Sequence, residues 1–207
     1  MNKIILLAAL AFNLSTSAYA ASNLISNGGF ESYSTSGLVG GHNFYTADAG
    51  SNAIDGWTIG GTSVDLIFGG SYGAVTGTSI DMLGSPGPGS LSQIFDTIAG
   101  QTYILTFDLS ANTGSDNTPA AKALYVSLND AQVAAYTGTS TITSESLSFT
   151  ATSEHTTLSF ASGPTGGSGA VLDNVAVAAV PEPETYAMLM AGIGLLGFMG
   201  RGKKRSA

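Results

Sequence analysis

Short runs in which apolar and polar residues alternate one for one, set apart by Gly, Ser, Asn and Pro, constrain this 207-residue chain more than any other feature. Tyr103, Leu105, Phe107 and Leu109 fall on one face of an extended backbone, with Thr106 and Asp108 on the other. That two-residue period belongs to a strand with one face buried. It returns at 124–129, 147–149 and 158–160, and further strands are predicted at 57–59, 64–68, 79–83, 91–95, 132–136 and 171–177. Turn-forming stretches such as Gly84-Ser85-Pro86-Gly87-Pro88-Gly89 separate them,. No part of the chain between 21 and 180 carries a helical period, so the expected fold is all-β, a two-sheet antiparallel sandwich of the jelly-roll type.

The two ends read differently. Lys3 precedes an apolar run from Ile4 to Leu14, and Ala18-Tyr19-Ala20 is a small-x-small site with Ala21 after the cut; this is a secretory signal peptide, the substrate of a signal peptidase. At the other end Pro181-Glu182-Pro183 keeps the backbone extended. A 15-residue apolar stretch follows at 186–200, then Arg201, Lys203, Lys204 and Arg205. As a helix that stretch spans roughly 22 Å, short of a hydrocarbon core of about 30 Å. The cations stay on the cytoplasmic side and place everything before Pro181 outside. Spacer, short apolar segment and basic end resemble the PEP-CTERM sorting signal of Gram-negative bacteria. The resemblance implies processing by an exosortase, transient anchoring in the inner membrane through the C-terminal helix, and delivery to the cell surface or extracellular matrix. An ordinary C-terminal membrane helix gives the same topology. The expected division is a signal peptide at 1–20, a sandwich domain at 21–180 and a sorting signal at 181–207.

Between 21 and 180 there are twelve acidic residues and one basic residue, Lys122, a net charge of −11. Such a domain cannot neutralise phosphates, so nucleic acid and anionic membrane surfaces are poor partners for it. Cysteine is absent, so stability rests on a core rather than on disulfides.

The resemblance extends inward. Asn23-Leu24-Ile25-Ser26-Asn27-Gly28-Gly29-Phe30-Glu31 is similar to the opening strand of galactose-binding-like jelly rolls. Ile54-Asp55-Gly56-Trp57, Leu91-Ser92-Gln93 before Gly100-Gln101-Thr102-Tyr103, and Leu172-Asp173-Asn174-Val175 follow in the order of the choice-of-anchor C family. What this implies is a surface or matrix domain that contacts carbohydrate, with an extracellular polysaccharide as partner.

Asp173 shares the period of Val171, Val175 and Val177, the row expected to face inward. A buried carboxylate has to be paired, hydrogen-bonded, protonated or metal-bound, and Lys122 is the only basic side chain of the domain. In jelly rolls of this kind the first and last strands lie close and a structural Ca²⁺ often sits between them, which implies Glu31 and Asp173 as shared ligands. The other reading is that Asp173 and Asn174 cap backbone amides at a bulge.

Catalysis has weaker claims. Gly69-Gly70-Ser71-Tyr72-Gly73 matches G-x-S-x-G with His155 downstream, but the β-branched, Gly-containing 74–79 does not continue as the helix a nucleophile elbow requires,. His42 and His155 lack companions at zinc-ligand spacing. A carboxylate pair for glycoside hydrolysis can be drawn from twelve acids in too many ways to be informative,. Trp57, between Ile54 and Ile59, reads as a core anchor,. Tyr33, Phe44, Tyr45 and Tyr72 lie in Gly- and Ser-rich surroundings as candidates for an exposed sugar-stacking site, with Asn43, Asp48 and Asn52 near to bind hydroxyls. The expectation is a non-enzymatic, exported carbohydrate-binding sandwich; the alternatives are a purely structural matrix protein and a small glycan hydrolase.

Overall fold

The structure is a computed structural model that describes residues 22–114, 118–164, 166–181 and 189–194. The signal-peptide residues Ala18, Ala20 and Ala21, and the sorting residues Glu182, Pro183, Arg201, Lys203, Lys204 and Arg205, lie outside the described residues. Of the expected C-terminal helix, 189–194 are helical, and among the described residues no helix is long and apolar enough to cross a membrane.

The described chain forms two antiparallel sheets. One has seven strands, in the order β1 (Val39–Gly41), β2 (Phe44–Asp48), β4 (Ser63–Phe68), β5 (Thr78–Asp81), β12 (Ala170–Ala179), β7 (Thr102–Ala111) and β10 (Thr143–Thr150). The other has five, in the order β3 (Thr58–Gly61), β6 (Gly89–Asp96), β11 (His155–Ser162), β8 (Ala123–Leu128) and β9 (Ala131–Thr137). Alternation decides which face meets which. Leu105, Phe107 and Leu109 of β7 and Leu91 and Phe95 of β6 turn into the space between the sheets, while Ile94 and Thr106 point out. Phe30, Trp57, Phe160 and Phe107 run through that core with successive ring centroids 5.4, 6.4 and 5.3 Å apart. Trp57 is buried, as its apolar neighbours suggest, and its Nε1 donates to the Asn27 carbonyl at 3.1 Å.

The opening motif is not a strand. Asn27 and Phe30 sit in the left-handed region, at φ 50° and 56°, so the chain turns there instead of extending. The turn is held by side chains: Asn27 Nδ2 donates to the Ser32 and Asp55 carbonyls, and Gln93 both accepts from Ser26 N at 2.7 Å and donates to Ser26 O at 3.0 Å. Gly28 is required because its carbonyl accepts from Val175 N, and a Cβ there would fall 1.9 Å from Val175 O. The segment still lies against the last strand, with Leu24 N donating to Val177 O at 2.8 Å.

Residues 44–48, which the alternation does not mark as a strand, form β2. Phe44 and Tyr45 are both half-buried, one on each face, so apolar residues stand side by side and the alternation that marks a half-exposed strand is missing. A second correction concerns Asp173. Asn174, at φ 51°, forms a bulge that shifts the β12–β7 register between Asp173 and Ala176. A bulge adds one residue and reverses the facing of every later residue in the strand. Val175 and Val177 therefore enter the main core, whereas Val171 and Asp173 face the outer side of the seven-stranded sheet. At the end of β12 the last sheet-type bonds fall at Val180, whose N donates to Thr102 O at 2.8 Å and whose carbonyl accepts from Gln101 Nε2 at 2.7 Å. Pro181 comes directly after.

Candidate functional site

The outer face of the seven-stranded sheet carries one continuous row of partners: Thr46 opposite Asp65, Asp65 opposite Asp81, Asp81 opposite Val171, and Val171 opposite Ser110. Cross-strand partners share a face, so two carboxylates stand side by side on adjacent strands. Phe44, Ile67 and Ser79 form the neighbouring row. Val171, Ile67, Ala74 and Phe44 pack into a small apolar cluster separate from the main core.

Loops fold over this face and close a pocket of about 220 Å³. Its apolar walls are Phe44, Ile67 and Tyr72; its polar groups are Asp65, Ser85, Asn112 and Ser168. The Gly69–Gly73 stretch supplies the Tyr72 wall. A short 3₁₀ turn, Ser71–Gly73, holds Tyr72 itself at φ 56°, and Ser110 Oγ donates to the Gly73 carbonyl. A Cβ at Gly73 would come within 2.2 Å of Ala111 O, so the loop can lie this close to the sheet only with glycine there,. Tyr72 is 41% exposed and meets Phe44 edge-on at a centroid distance of 6.1 Å. A non-glycine residue held in the left-handed region next to a pocket is strain of the kind found at ligand sites.

Asp65 lines the pocket and is itself buried. Its Oδ1 accepts from Thr46 Oγ1 at 2.7 Å and Ser85 N at 3.2 Å, and its Oδ2 from Ser85 Oγ at 3.2 Å. Burial raises its carboxyl above the ordinary range, and these bonds oppose the rise only in part. Asp81, fully buried beneath the pocket, accepts from Leu83 N, Gly169 N and Asn112 Nδ2 at 3.0, 2.9 and 2.5 Å. Burial, with the charge of Asp65 adding to it, pushes its carboxyl up to about 7 despite these bonds. The buried Lys122 donates from Nζ to the Asn112 and Ser168 carbonyls, both at 2.6 Å, and so holds the two loops that form the polar wall.

Of the residues the sequence singled out for sugar contact, Phe44 and Tyr72 are brought together. Tyr33 and Tyr45 are not part of that pocket; they flank Phe68, at 5.5 and 5.9 Å. Asn43 lies in the β1–β2 turn, where its carbonyl accepts from Phe68 N at 3.1 Å. Asp65, Ser85, Asn112 and Ser168 come from separate strands and loops and were missed. The one available signal was an acid inside each of two apolar runs, at 64–68 and at 79–83.

Glu31 and Asp173 both bond to the 76–79 stretch that enters β5. Glu31 accepts from Thr78 N at 2.9 Å and Thr78 Oγ1 at 3.3 Å. Asp173 Oδ2 accepts from Ser79 Oγ at 2.9 Å and Thr76 N at 3.3 Å, and its Oδ1 from Asn174 N at 2.7 Å. Burial raises the Asp173 carboxyl, and the nearby charge of Glu31 adds to the rise. The pair could hold a divalent cation if carbonyls and water completed its six to eight oxygens, yet the donors at hand already satisfy both side chains in the manner of a capped bulge. Among the described residues no group of three or more His, Asp or Glu is placed to bind a metal. Ser71 sits in the 3₁₀ turn on the seven-stranded sheet, whereas His155 is on the five-stranded sheet, bonded through Nδ1 to Asp96 at 3.0 Å. His42 occupies the turn after β1 at φ 58°.

Comparison with known proteins gives a sorting motif and a domain. The PEP-CTERM protein-sorting motif matches residues 179–205. A curated relative, halomucin of Haloquadratum walsbyi, is 31% identical over 183 residues, which is 87% of this chain; the chain spans 2% of that protein's length. Similar solved structures include a CBM4 domain (18% identical, 75% of this chain and 99% of that one, TM-score 0.45) and TmCBM61 in complex with β-1,4-galactotriose (11%, 77% and 100%, TM-score 0.44). A family 35 carbohydrate-binding module from Clostridium thermocellum is 13% identical over 58% of this chain and 90% of that one, with a TM-score of 0.41. The model of the family described as protein of unknown function DUF642 matches residues 23–178, three-quarters of the chain and all of the sandwich but the last residue of β12, and the chain belongs to that family.

Proposed function

We propose that this protein is a surface-exported glycan-binding sandwich whose sugar site is the pocket between Phe44 and Tyr72. The PEP-CTERM motif marks the chain for export to the cell surface or extracellular space, and in this reading an exosortase removes the tail after a signal peptidase has removed the leader. The observation that carries the ligand class is the pairing of an exposed tyrosine, held in a strained turn, with convergent carboxylate, hydroxyl and amide groups in one pocket. An aromatic face stacks on the C–H surface of a sugar, while Asp65, Ser85, Asn112 and Ser168 match its hydroxyls. A volume of about 220 Å³ lies below the roughly 300–1,000 Å³ of sites that engulf larger ligands, which suits one sugar ring or a chain end.

The side-by-side carboxylates Asp65 and Asp81 favour a second reading, glycan hydrolysis,. Asp81 is fully covered and engaged with three donors, so only Asp65 can reach a ligand, and binding without turnover is the better account. Screening the mature protein against an array of oligosaccharides tests it. Binding to a defined set, lost in Tyr72→Ala and without release of cleaved sugars, supports the proposal; no binding to any glycan would leave a structural matrix role, and cleavage would establish the hydrolase.

A further inference from the structure

The pocket between Phe44 and Tyr72 holds a charge that a neutral sugar leaves unanswered. Among its described lining residues Asp65 is the one charged side chain. It is buried, and directly across the strand pair, on the same face, stands Asp81. Like charges opposite one another on neighbouring strands destabilise a sheet. Burial raises both carboxyls, and the charge of Asp65 adds to the rise at Asp81. Lys122, the one basic side chain between 21 and 180, does not line the pocket. Its Nζ donates to the Asn112 and Ser168 carbonyls, and it lines a separate cavity with Ala111, Thr113 and Gly138.

Asp65 also keeps room for a donor. An ionised carboxylate accepts about four hydrogen bonds. From the described residues Oδ1 takes two, from Thr46 Oγ1 and Ser85 N, and Oδ2 takes one, from Ser85 Oγ. An acceptor position is therefore left on Oδ2 of a residue that lines the pocket. Asp81 is fully covered, so a cation in the pocket can bond only to Asp65, while its field offsets the charge of both. Granted that this pocket is the sugar site, we infer that it selects a cationic sugar: a glycan residue with a free amine, whose ammonium group donates to Asp65 while its ring lies between Phe44 and Tyr72. A hydrogen bond between ionised partners is about twice as strong as one between neutral groups, and the two aromatic faces attract a cation as well as an apolar ring surface. The wider field acts in the same sense. With twelve acidic side chains against one basic between 21 and 180, the domain draws in an amine-bearing polysaccharide and repels one built of uronic acids.

The test compares β-linked oligosaccharides of equal length that differ in one ring substituent: glucosamine carries an ammonium, N-acetylglucosamine an acetamide and glucose a hydroxyl. In calorimetric titration of the mature protein, the glucosamine oligomer is expected to bind at least about tenfold more tightly than either neutral one, the scale of a hydrogen bond to a charged group. This comparison among ligands uses the wild-type protein and needs no variant to fold. The preference is expected to vanish in Asp65→Asn and to survive in Asp96→Asn, whose exposed carboxylate lies on the five-stranded sheet. Equal affinity for the three oligomers, still lost in Tyr72→Ala, overturns the cationic selectivity and leaves the sugar pocket standing. A preference unchanged in Asp65→Asn overturns it too, because the acidic surface as a whole would then be the attractor. Failure of all three to bind also overturns it, and the oligosaccharide array decides separately whether the pocket takes another glycan.

Discussion

Asp65, Asp81 and Asp173 are three buried carboxylates, each with its carboxyl raised by burial. For Asp81 the folded value is about 7 against 3.8 for the free side chain. The folded state therefore holds a proton that the unfolded chain has released, so stability falls as pH rises through that window and stays low above it. The other two carboxyls act in the same direction. The expected outcome is a higher melting temperature near pH 5 than near pH 8, with Asp81→Asn flattening the difference; equal melting in wild type at the two pH values would contradict it. Glu31 and Asp173 carry the proposal of a structural Ca²⁺. If they share an ion, millimolar Ca²⁺ raises the melting temperature over that in EGTA by several degrees, and Asp173→Asn removes the increment. Identical wild-type curves would leave Asp173 to its backbone and hydroxyl donors.

At the scale of the element, β12 is the strand on which the sequence reading and the structure part company. Its alternation was legible, and so was its place in the core, but a bulge leaves no mark on an apolar–polar pattern beyond the Asp-Asn step itself. One left-handed residue at Asn174 sends Val171 and Val175 to opposite faces. Replacing Asn174 by valine puts a β-branched side chain in that region and removes the bond from Asn174 Nδ2 to Asp108 Oδ2; a loss of roughly 1–3 kcal/mol is expected in chemical denaturation. Glycine, free of the conformational penalty, should lose less than valine, and an equal loss would refute the strain argument. The long strands β6, β7, β8 and β11 could be read in advance because each has one face in the core and most of the other in solvent. β2 could not, since Phe44 and Tyr45 are half-buried on opposite faces. The pocket was half legible for a related reason. Aromatics in Gly-rich surroundings pointed to Phe44 and Tyr72, whereas Asp65, Ser85 and Asn112 become neighbours only through strand register and loop closure. Nothing in the local sequence separates Tyr72, which lines the pocket, from Tyr33, which packs on Phe68.

For the whole molecule, the sandwich and the sorting motif abut: the last backbone bond to the sheet falls at Val180, and the motif is matched from residue 179. Changing Glu182 and Pro183 to alanine together should leave export intact and accumulate an uncleaved, membrane-associated precursor; an unchanged mature mass would remove the sorting step from the account. The central claim, that the exported domain binds a glycan between Phe44 and Tyr72, is met most directly by titrating the mature protein with the exopolysaccharide of the producing cell. Wild type and Tyr33→Ala should bind alike, while Tyr72→Ala and Asp65→Asn, folded by circular dichroism, should lose at least about tenfold in affinity, the equivalent of ~1.4 kcal/mol. Equal binding by all four proteins would place the sugar elsewhere, and no binding by wild type would contradict the claim outright.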